Sequence, residues 1–225
     1  MEANLDNITW ITSISQHRFE GLVYKKCLES WYNIPSKKVI FAEGNIPLNG
    51  FEIIDLESVI DYDYFKTIKG LTYTRIYKKA ISIYWSLKNI DSDYIVWLDA
   101  DTMVHKPLDV FPTIKEPWAS MFFDAKDGKL LDRYPQGIET GFVYFNKKIL
   151  PDNFADNYIN WWHNKTIESL HRTKDTYVLL EMALNDNTYG NIAIDHSDLP
   201  PGKNAFSRTI FKDYFTHYIG AGNKK

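Results

Sequence analysis

The chain has 225 residues, of which 44% are hydrophobic and 24% charged, with a formal net charge of −3. This composition is typical of a globular protein with one or two domains, and it argues against a nucleic-acid scaffold, which needs a basic surface. We expect no signal peptide or membrane span, and therefore a cytoplasmic location, because the N-terminus is polar and no long apolar run occurs.

The first third of the chain alternates strand-like and helix-like segments. Residues 8–15 are β-branched and alternating, which predicts a strand, and residues 16–21 form a predicted polar turn. Apolar residues at helical spacing predict a helix over residues 22–32. Two short strands follow, at residues 38–42 and 51–54. This alternation predicts an α/β fold with a mixed, mostly parallel central sheet flanked by helices.

An amphipathic helix is predicted next, over residues 72–87, and it carries several basic side chains. Lys79 is assigned to its solvated face, the usual place for a lysine on such a helix. Arg75 lies near the helix start, from which its guanidinium could reach a phosphate or a carboxylate.

The helix leads into the stretch that organises the chain, an apolar run at residues 94–98 followed by Asp99 and Asp101. The run predicts a strand buried on both faces. Carboxylates at the end of such a strand are costly unless a cation or hydrogen bonds compensate them, and open α/β sheets bind ligands there. Carboxylate oxygens suit a hard divalent cation. The alternative is a pair of solvated loop acids.

The second half continues with strands and helices around a long polar segment. We predict a surface loop over residues 124–136 that could hold a substrate. Asp175, just before a predicted helix, is either a helix cap or a site residue. The other predicted elements are strands at 118–123, 137–146 and 191–194 and helices at 154–170 and 177–184.

The C-terminal segment adds groups that suit a metal-bound diphosphate. His217 offers an imidazole, and a Gly-Ala-Gly turn that begins at Gly220 offers backbone amides to phosphate oxygens. Lys224 then supplies a cation. We find no repeat or linker, so the sequence predicts one domain over residues 1–225, either complete or as part of a longer protein.

Several motifs together resemble the glycosyltransferase A fold, and within it family 8, the glycogenin and galactosyltransferase group. The core of the resemblance is Val96-Trp-Leu-Asp-Ala-Asp-Thr-Met-Val104. His217-Tyr-Ile-Gly220 matches the His-x-x-Gly motif of the family. Weaker matches, in the family's order, are residues 12–21, Thr72-Tyr-Thr-Arg75, residues 140–145 and residues 174–180.

The resemblance implies a nucleoside-diphosphate sugar donor, most plausibly a UDP-sugar, with Mn²⁺ or Mg²⁺ as cofactor. Asp101 and His217 would bind the metal, and Asp99 would share the metal or the ribose hydroxyls. The backbone at Gly220 would approach the diphosphate, and the metal and Lys224 would neutralise its charge on departure.

The same resemblance implies further residues that would contact the donor. Thr12, Ser13 and Ser15 would contact the nucleotide, Phe19 would stack on the base, and Arg75 would contact the phosphates.

Two carboxylates, Glu139 and Asp175, are the candidates for holding or activating the sugar and the acceptor. The acceptor would be a glycan or a glycoprotein, and family 8 implies retention of the anomeric configuration. Inversion would need a carboxylate base, a role open to either residue.

Three other functions compete with glycosyl transfer. A haloacid-dehalogenase-type phosphatase also uses Asp-x-Asp, but it wants Thr or Val where this chain has Met103, and it places the motif near its N-terminus. A sugar-nucleotide pyrophosphorylase wants a glycine-rich loop after the first strand, whereas residues 13–19 contain no glycine. A catalytically silent domain that binds nucleotide sugars remains open.

Overall fold

The computed structural model describes residues 5–68, 71–109, 111–112, 114–124, 136–170, 175–186, 188–192 and 204–218. In these residues the strands are β1 (Ile8–Ser15), β2 (Lys37–Glu43), β3 (Glu52–Asp55), β4 (Tyr94–Leu98), β5 (Thr102–Val104), β6 (Trp118–Asp124), β7 (Gln136–Asn146), β8 (Tyr189–Asn191) and β9 (Phe215–His217). The α-helices are α1 (Gln16–Phe19), α2 (Leu22–Ser30), α3 (Tyr62–Phe65), α4 (Leu71–Asn89), α5 (Phe154–His163) and α6 (Asp175–Asp186).

A seven-stranded sheet forms the centre of the molecule, in the order β3-β2-β1-β4-β7-β6-β8. Strands β1 to β4 are mutually parallel, β7 is antiparallel to both of its neighbours, and β8 is parallel to β6. Helices cover the sheet, so the predicted α/β fold with a mixed, mostly parallel sheet is confirmed. A second sheet pairs β5 with β9 and was not predicted.

Both faces of the central sheet are buried under large apolar clusters. One cluster packs helices α4, α5 and α6 onto the sheet and includes Trp97, Trp118 and Trp162. The other includes Trp10 of β1 and Trp31, which follows α2. Burial on both faces explains why the central strands are almost continuously apolar.

Most predicted elements form, and their bounds differ by a few residues. The motif strand occupies Tyr94–Leu98 as predicted, and the predicted amphipathic helix is α4. Residues 16–19 form a short helix rather than a turn. Of the predicted strand at 191–194, Asn191 ends β8, Ile192 lies just after that strand, and the rest lies outside the described residues, as does most of the predicted loop at 124–136.

The predicted single helix over residues 154–170 is wrong in its second half. Helix α5 ends at His163, and Lys165 then adopts a left-handed backbone with φ 57°. A 3₁₀ turn follows at Thr166–Ser169 and buries Ile167 in the core. The apolar residues keep a helix-like spacing through this break, because the turn at Lys165 still directs Ile167 into the core.

Among the described helices, none combines the length and the apolar character that a bilayer crossing requires.

The single cysteine provides a test of the fold. Cys27 lies in α2 and is fully buried, and burial raises the pKa of its thiol to about 12. Since the thiolate is the reactive form, we expect no reaction of the native protein with Ellman's reagent at pH 8 and complete reaction in guanidinium chloride. Equal labelling rates in both conditions would contradict this placement of α2.

Candidate active site

The site is built on the turn that follows β4. The backbone N–H of Asp99 donates to the carbonyl of Gly141 in β7 (2.8 Å), and the N–H of Thr102 donates to the Asp99 carbonyl (3.0 Å). These bonds hold the turn against the middle of the sheet. Asp99 and Asp101 therefore project from the carboxyl end of a central strand, the usual ligand-binding edge of such sheets.

The small sheet brings His217 to this turn from the far end of the chain. Strand β5 begins directly after Asp101, and in its pairing with β9 Thr102 lies opposite His217. Asn204 fixes β9 further, since its Oδ1 accepts from the His217 N–H (3.1 Å). The pairing places His217 Nε2 3.1 Å from Asp101 Oδ1 and 3.5 Å from Asp99 Oδ2.

These three side chains could hold a metal ion. One ligand atom from each of Asp99, Asp101 and His217 lies within 4.8 Å of the others. Two carboxylate oxygens and one imidazole nitrogen that converge on one point suit a divalent cation such as Mn²⁺. The residues present thus fit the metal that the sequence predicts.

The electrostatics of the cluster explain why a cation would be favourable. Burial alone would lower the pKa of His217, but its hydrogen bonds with Asp101 and Asp99 and their charges raise that pKa to about 10. Burial would raise the pKa of Asp99, but the charge of Lys79 and hydrogen bonds from His217 and Trp97 lower it below its usual value. The site therefore concentrates negative charge that cations compensate.

Lys79 is the site residue that the sequence analysis misassigned. Its ammonium group is not on a solvated face: the residue is 9% exposed. The Nζ lies 2.9 Å from Asp175 Oδ2 and 3.4 Å from Asp99 Oδ1, and it also donates to the Thr140 carbonyl. The helical spacing of Lys79 from Ile76 and Ile83 is compatible with the buried face, but its partners come from the sheet and from α6, far away in the sequence.

Asp175 is the first residue of α6 in the described structure, and it is 7% exposed. Its carboxylate faces Lys79 rather than solvent, and it lines the same cavity as Asp99 and Asp101. The structure therefore brings this candidate into the site.

Glu139 takes a different position from the one expected of a group that contacts substrate. Its Oε1 accepts a hydrogen bond from the N–H of Gly141 (2.8 Å), and burial raises the pKa of its carboxyl. It is not among the residues that line the cavity beside Asp99. Glu139 instead supports the strand against which His217 packs.

Gly141 leaves the space that His217 occupies. A Cβ at this position would lie 2.7 Å from Cε1 and 2.9 Å from Nδ1 of His217, and 3.1 Å from Oε1 of Glu139. Any side chain here would displace the imidazole, so the glycine is required by close approach.

Two adjoining cavities open beside the carboxylates, with volumes of about 240 and 320 Å³. Ser13 and Arg75 line both cavities, and Ser15 lines the larger one, so three predicted nucleotide contacts are brought together. Residues that sequence reasoning missed also line them: Arg18, Tyr24, Glu43, Lys78 and Lys79. Of these residues, only Tyr24 could have been suggested by the sequence, because it is an aromatic residue a few positions after Phe19, the predicted stacking residue.

The structure does not bring the side chains of two predicted nucleotide contacts to the cavities. Phe19 is 5% exposed and packs in the apolar cluster under α2, so its ring is not available to stack on a base. The Thr12 side chain is fully buried and lines neither cavity, because alternation along β1 directs it away from the face that carries Ser13. Gly220 and Lys224 lie outside the described residues.

The fold is similar to that of solved glycosyltransferases. The galactosyltransferase LgtC, solved with donor and acceptor sugar analogues, matches with a TM-score of 0.57 and 13% identity, over 95% of this chain and 87% of that chain. Mouse xyloside xylosyltransferase 1 matches with a TM-score of 0.55 and 7% identity, over 83% and 85%. The bifunctional glycosyltransferase WbbM matches with 0.52 and 12%, over 84% and 39%.

These similarities show that the chain has the glycosyltransferase A fold, as the sequence resemblance predicted. A scan against protein-family models finds no match, and a search of curated protein sequences finds none either.

Removal of the buried ammonium tests its role. Lys79→Met would leave the buried carboxylate of Asp175 and the partly buried one of Asp99 without their cation, and we expect it to lower the free energy of unfolding by about 3 kcal/mol. Denaturant unfolding followed by circular dichroism measures this change.

The neighbouring lysine is the matched control. Lys78 pairs with Glu43 (2.7 Å), whose side chain is 44% exposed, so Lys78→Met should cost at most about 1 kcal/mol. Equal losses in the free energy of unfolding for the two variants would show that the ion pairs of Lys79 stabilise the protein no more than the exposed pair of Lys78 does.

The close approach at Gly141 gives a second test. Gly141→Ala should weaken Mn²⁺ binding by about tenfold or more, because it displaces one of the three metal-binding groups. Calorimetric titration with Mn²⁺ measures the affinity. Gly190→Ala is the control, since its Cβ would meet the Glu116 carboxylate at 2.8 Å and the Ala119 Cβ at 3.2 Å, and neither residue belongs to the metal-binding cluster. An unchanged Mn²⁺ affinity in Gly141→Ala would remove His217 from the metal site.

Proposed function

We propose that the protein is a metal-dependent glycosyltransferase that moves a sugar from a nucleoside-diphosphate sugar to a glycan or glycoprotein acceptor. The observation that carries the proposal is the convergence of Asp99, Asp101 and His217 at the carboxyl end of β4, beside a cavity that basic side chains line. The likeness to LgtC, a transferase solved with donor and acceptor sugar analogues, supports it.

Mn²⁺ or Mg²⁺ would be held by Asp99, Asp101 and His217. When bound, the metal would neutralise charge on the diphosphate leaving group. The imidazole nitrogen in the set favours Mn²⁺ of the two.

The chain's own residues would bind the donor around this point. Arg18 and Arg75 line the cavity beside Asp101 and would pair with phosphate oxygens. Ser13 would donate a hydrogen bond to the nucleotide, and Tyr24, which lines the same cavity, offers the aromatic surface that Phe19 cannot. A UDP-sugar is the proposed donor, as the family resemblance implies.

The sugar would lie near Asp175, the carboxylate that faces the cavity from α6. Its oxygens would accept hydrogen bonds from sugar hydroxyls, and Lys79 keeps this carboxylate in place (2.9 Å). Glu139 would act only as a positioning residue, through Gly141 and the strand that backs His217. We propose retention of the anomeric configuration, which needs no strong protein base.

Ligand-dependent stability tests the proposal and identifies the nucleotide. At a hundredfold excess over Kd, a ligand that binds only the folded state adds about 2.7 kcal/mol, or roughly 5–10 °C in Tm. We expect such a rise for UDP with Mn²⁺ and no rise for UDP alone. The rise should disappear in Asp101→Asn and persist in Asp91→Asn, a surface control at the other end of β4.

Turnover separates an enzyme from a silent binding domain. Incubation with UDP-sugars and Mn²⁺ should release UDP slowly by hydrolysis or transfer, and Asp101→Asn should abolish the release. A Tm rise without any release would favour the binding domain. Indifference to every nucleoside diphosphate in the presence of Mn²⁺ would overturn the proposed function.

A further inference from the structure

A third cavity, of about 250 Å³, lies between α5 and α6, away from the carboxylates. Its lining residues on α6, Met182 and Asn185, lie near the C-terminal end of that helix, whereas Asp175 stands at the other end. Asn185 lies ten residues after Asp175, which corresponds to about 15 Å along the helix axis. The lining residues are Asn157, Asn160, Trp161, Asn164, Thr166, Met182 and Asn185. We call this cavity the amide cleft.

The chemistry of the amide cleft is unusual because its polar groups are all uncharged. Four of its seven lining side chains are asparagine amides, each with two N–H donors and a carbonyl acceptor. In the part of the chain that the structure describes, no hydrogen bond to another side chain or to the backbone engages these four amides. They are available to a ligand that both donates and accepts hydrogen bonds.

The tryptophan pair of α5 supplies the apolar wall. Adjacent residues of a helix point in directions about 100° apart, so the two indoles separate. Trp162 is fully buried, with its ring centroid 5.6 Å from that of Tyr73. Trp161 is only partly buried and lines the cleft. A partly exposed indole beside amide groups suits a ring that has one apolar face and hydroxyls at its edge.

The backbone at the edge of the cleft is shaped by the end of α5. Lys165 is the one non-glycine residue with positive φ among the described residues (57°), and it separates two lining residues, Asn164 and Thr166. A left-handed residue at this position is a common way for a helix to end. Here it turns the chain so that the residues on both sides reach the cleft.

We propose that the amide cleft is a carbohydrate-binding site for neutral sugars, separate from the candidate active site. The absence of charged lining side chains argues against phosphates and nucleotides, which need cations. The abundance of amides argues against a purely apolar ligand. A pyranose matches both the indole face of Trp161 and the surrounding amides. This inference does not rest on the proposed transfer reaction.

Binding of neutral oligosaccharides tests the proposal. Lactose, maltotriose and mannotriose are titrated onto the full chain, without metal or nucleotide, and followed by saturation-transfer NMR and calorimetry. We expect at least one to bind, and Trp161→Ala to weaken its Kd by about tenfold through the loss of stacking. Asn160→Asp should also weaken binding, since it removes an amide donor from an exposed position without changing the helix packing.

The controls separate this site from the candidate active site. Asn49→Ala, at an exposed asparagine near the opposite edge of the sheet, should leave sugar binding unchanged. Asp101→Asn should also leave it unchanged, and Trp161→Ala should keep any Tm rise that UDP and Mn²⁺ produce. The proposal is overturned if none of the three sugars binds, if both cleft variants bind normally, or if Asp101→Asn removes the binding.

Discussion

The ion pairs of Lys79 are the constraint on which the candidate site depends. Asp99 and Asp175 come from different elements, the end of β4 and the start of α6; Asp175 is buried and Asp99 is partly buried. Two such carboxylates would repel each other and lose hydration unless a cation compensated them. Lys79, on the face of α4 that packs against the sheet, supplies that cation. The ammonium thereby couples the packing of α4 to the geometry of the carboxylates, and a helix of the core also sets the electrostatics of the site.

The small β5–β9 sheet adds the histidine of the candidate metal site. It carries His217 across the chain to Asp101, and Trp31 anchors it by donating its indole N–H to the Thr102 carbonyl (3.0 Å). Gly141 provides the space behind the imidazole. The β5–β9 pairing, the Trp31 hydrogen bond and the space at Gly141 together hold His217 in one position. A metal site needs this kind of pre-organisation.

Helix α6 connects the two regions to which we assign ligands. Its first residue faces the carboxylates, whereas its last turn forms one wall of the amide cleft. The two regions differ in chemistry in a way that matches their proposed ligands. The cavities beside β4 combine acids with Arg18, Arg75 and Lys78, as a metal-bound diphosphate requires, and the amide cleft carries no charge. Neither region could substitute for the other.

The sequence by itself determined the α/β class, the buried strand before Asp99 and Asp101, and the metal-binding role proposed for those residues with His217. These inferences rest on apolar periodicity, on carboxylates directly after a buried run and, for His217, on the resemblance of the C-terminal motif to a known family. Only the tertiary structure decided which side chains join them. Lys79 looked like a surface lysine, and Phe19 looked like a stacking residue, because the partners of both lie far away in the sequence. The amide cleft is likewise invisible in the chain, since its asparagines lie on two helices and a turn whose packing brings them together. Burial and ion pairing depend on long-range contacts, and a local pattern does not contain them.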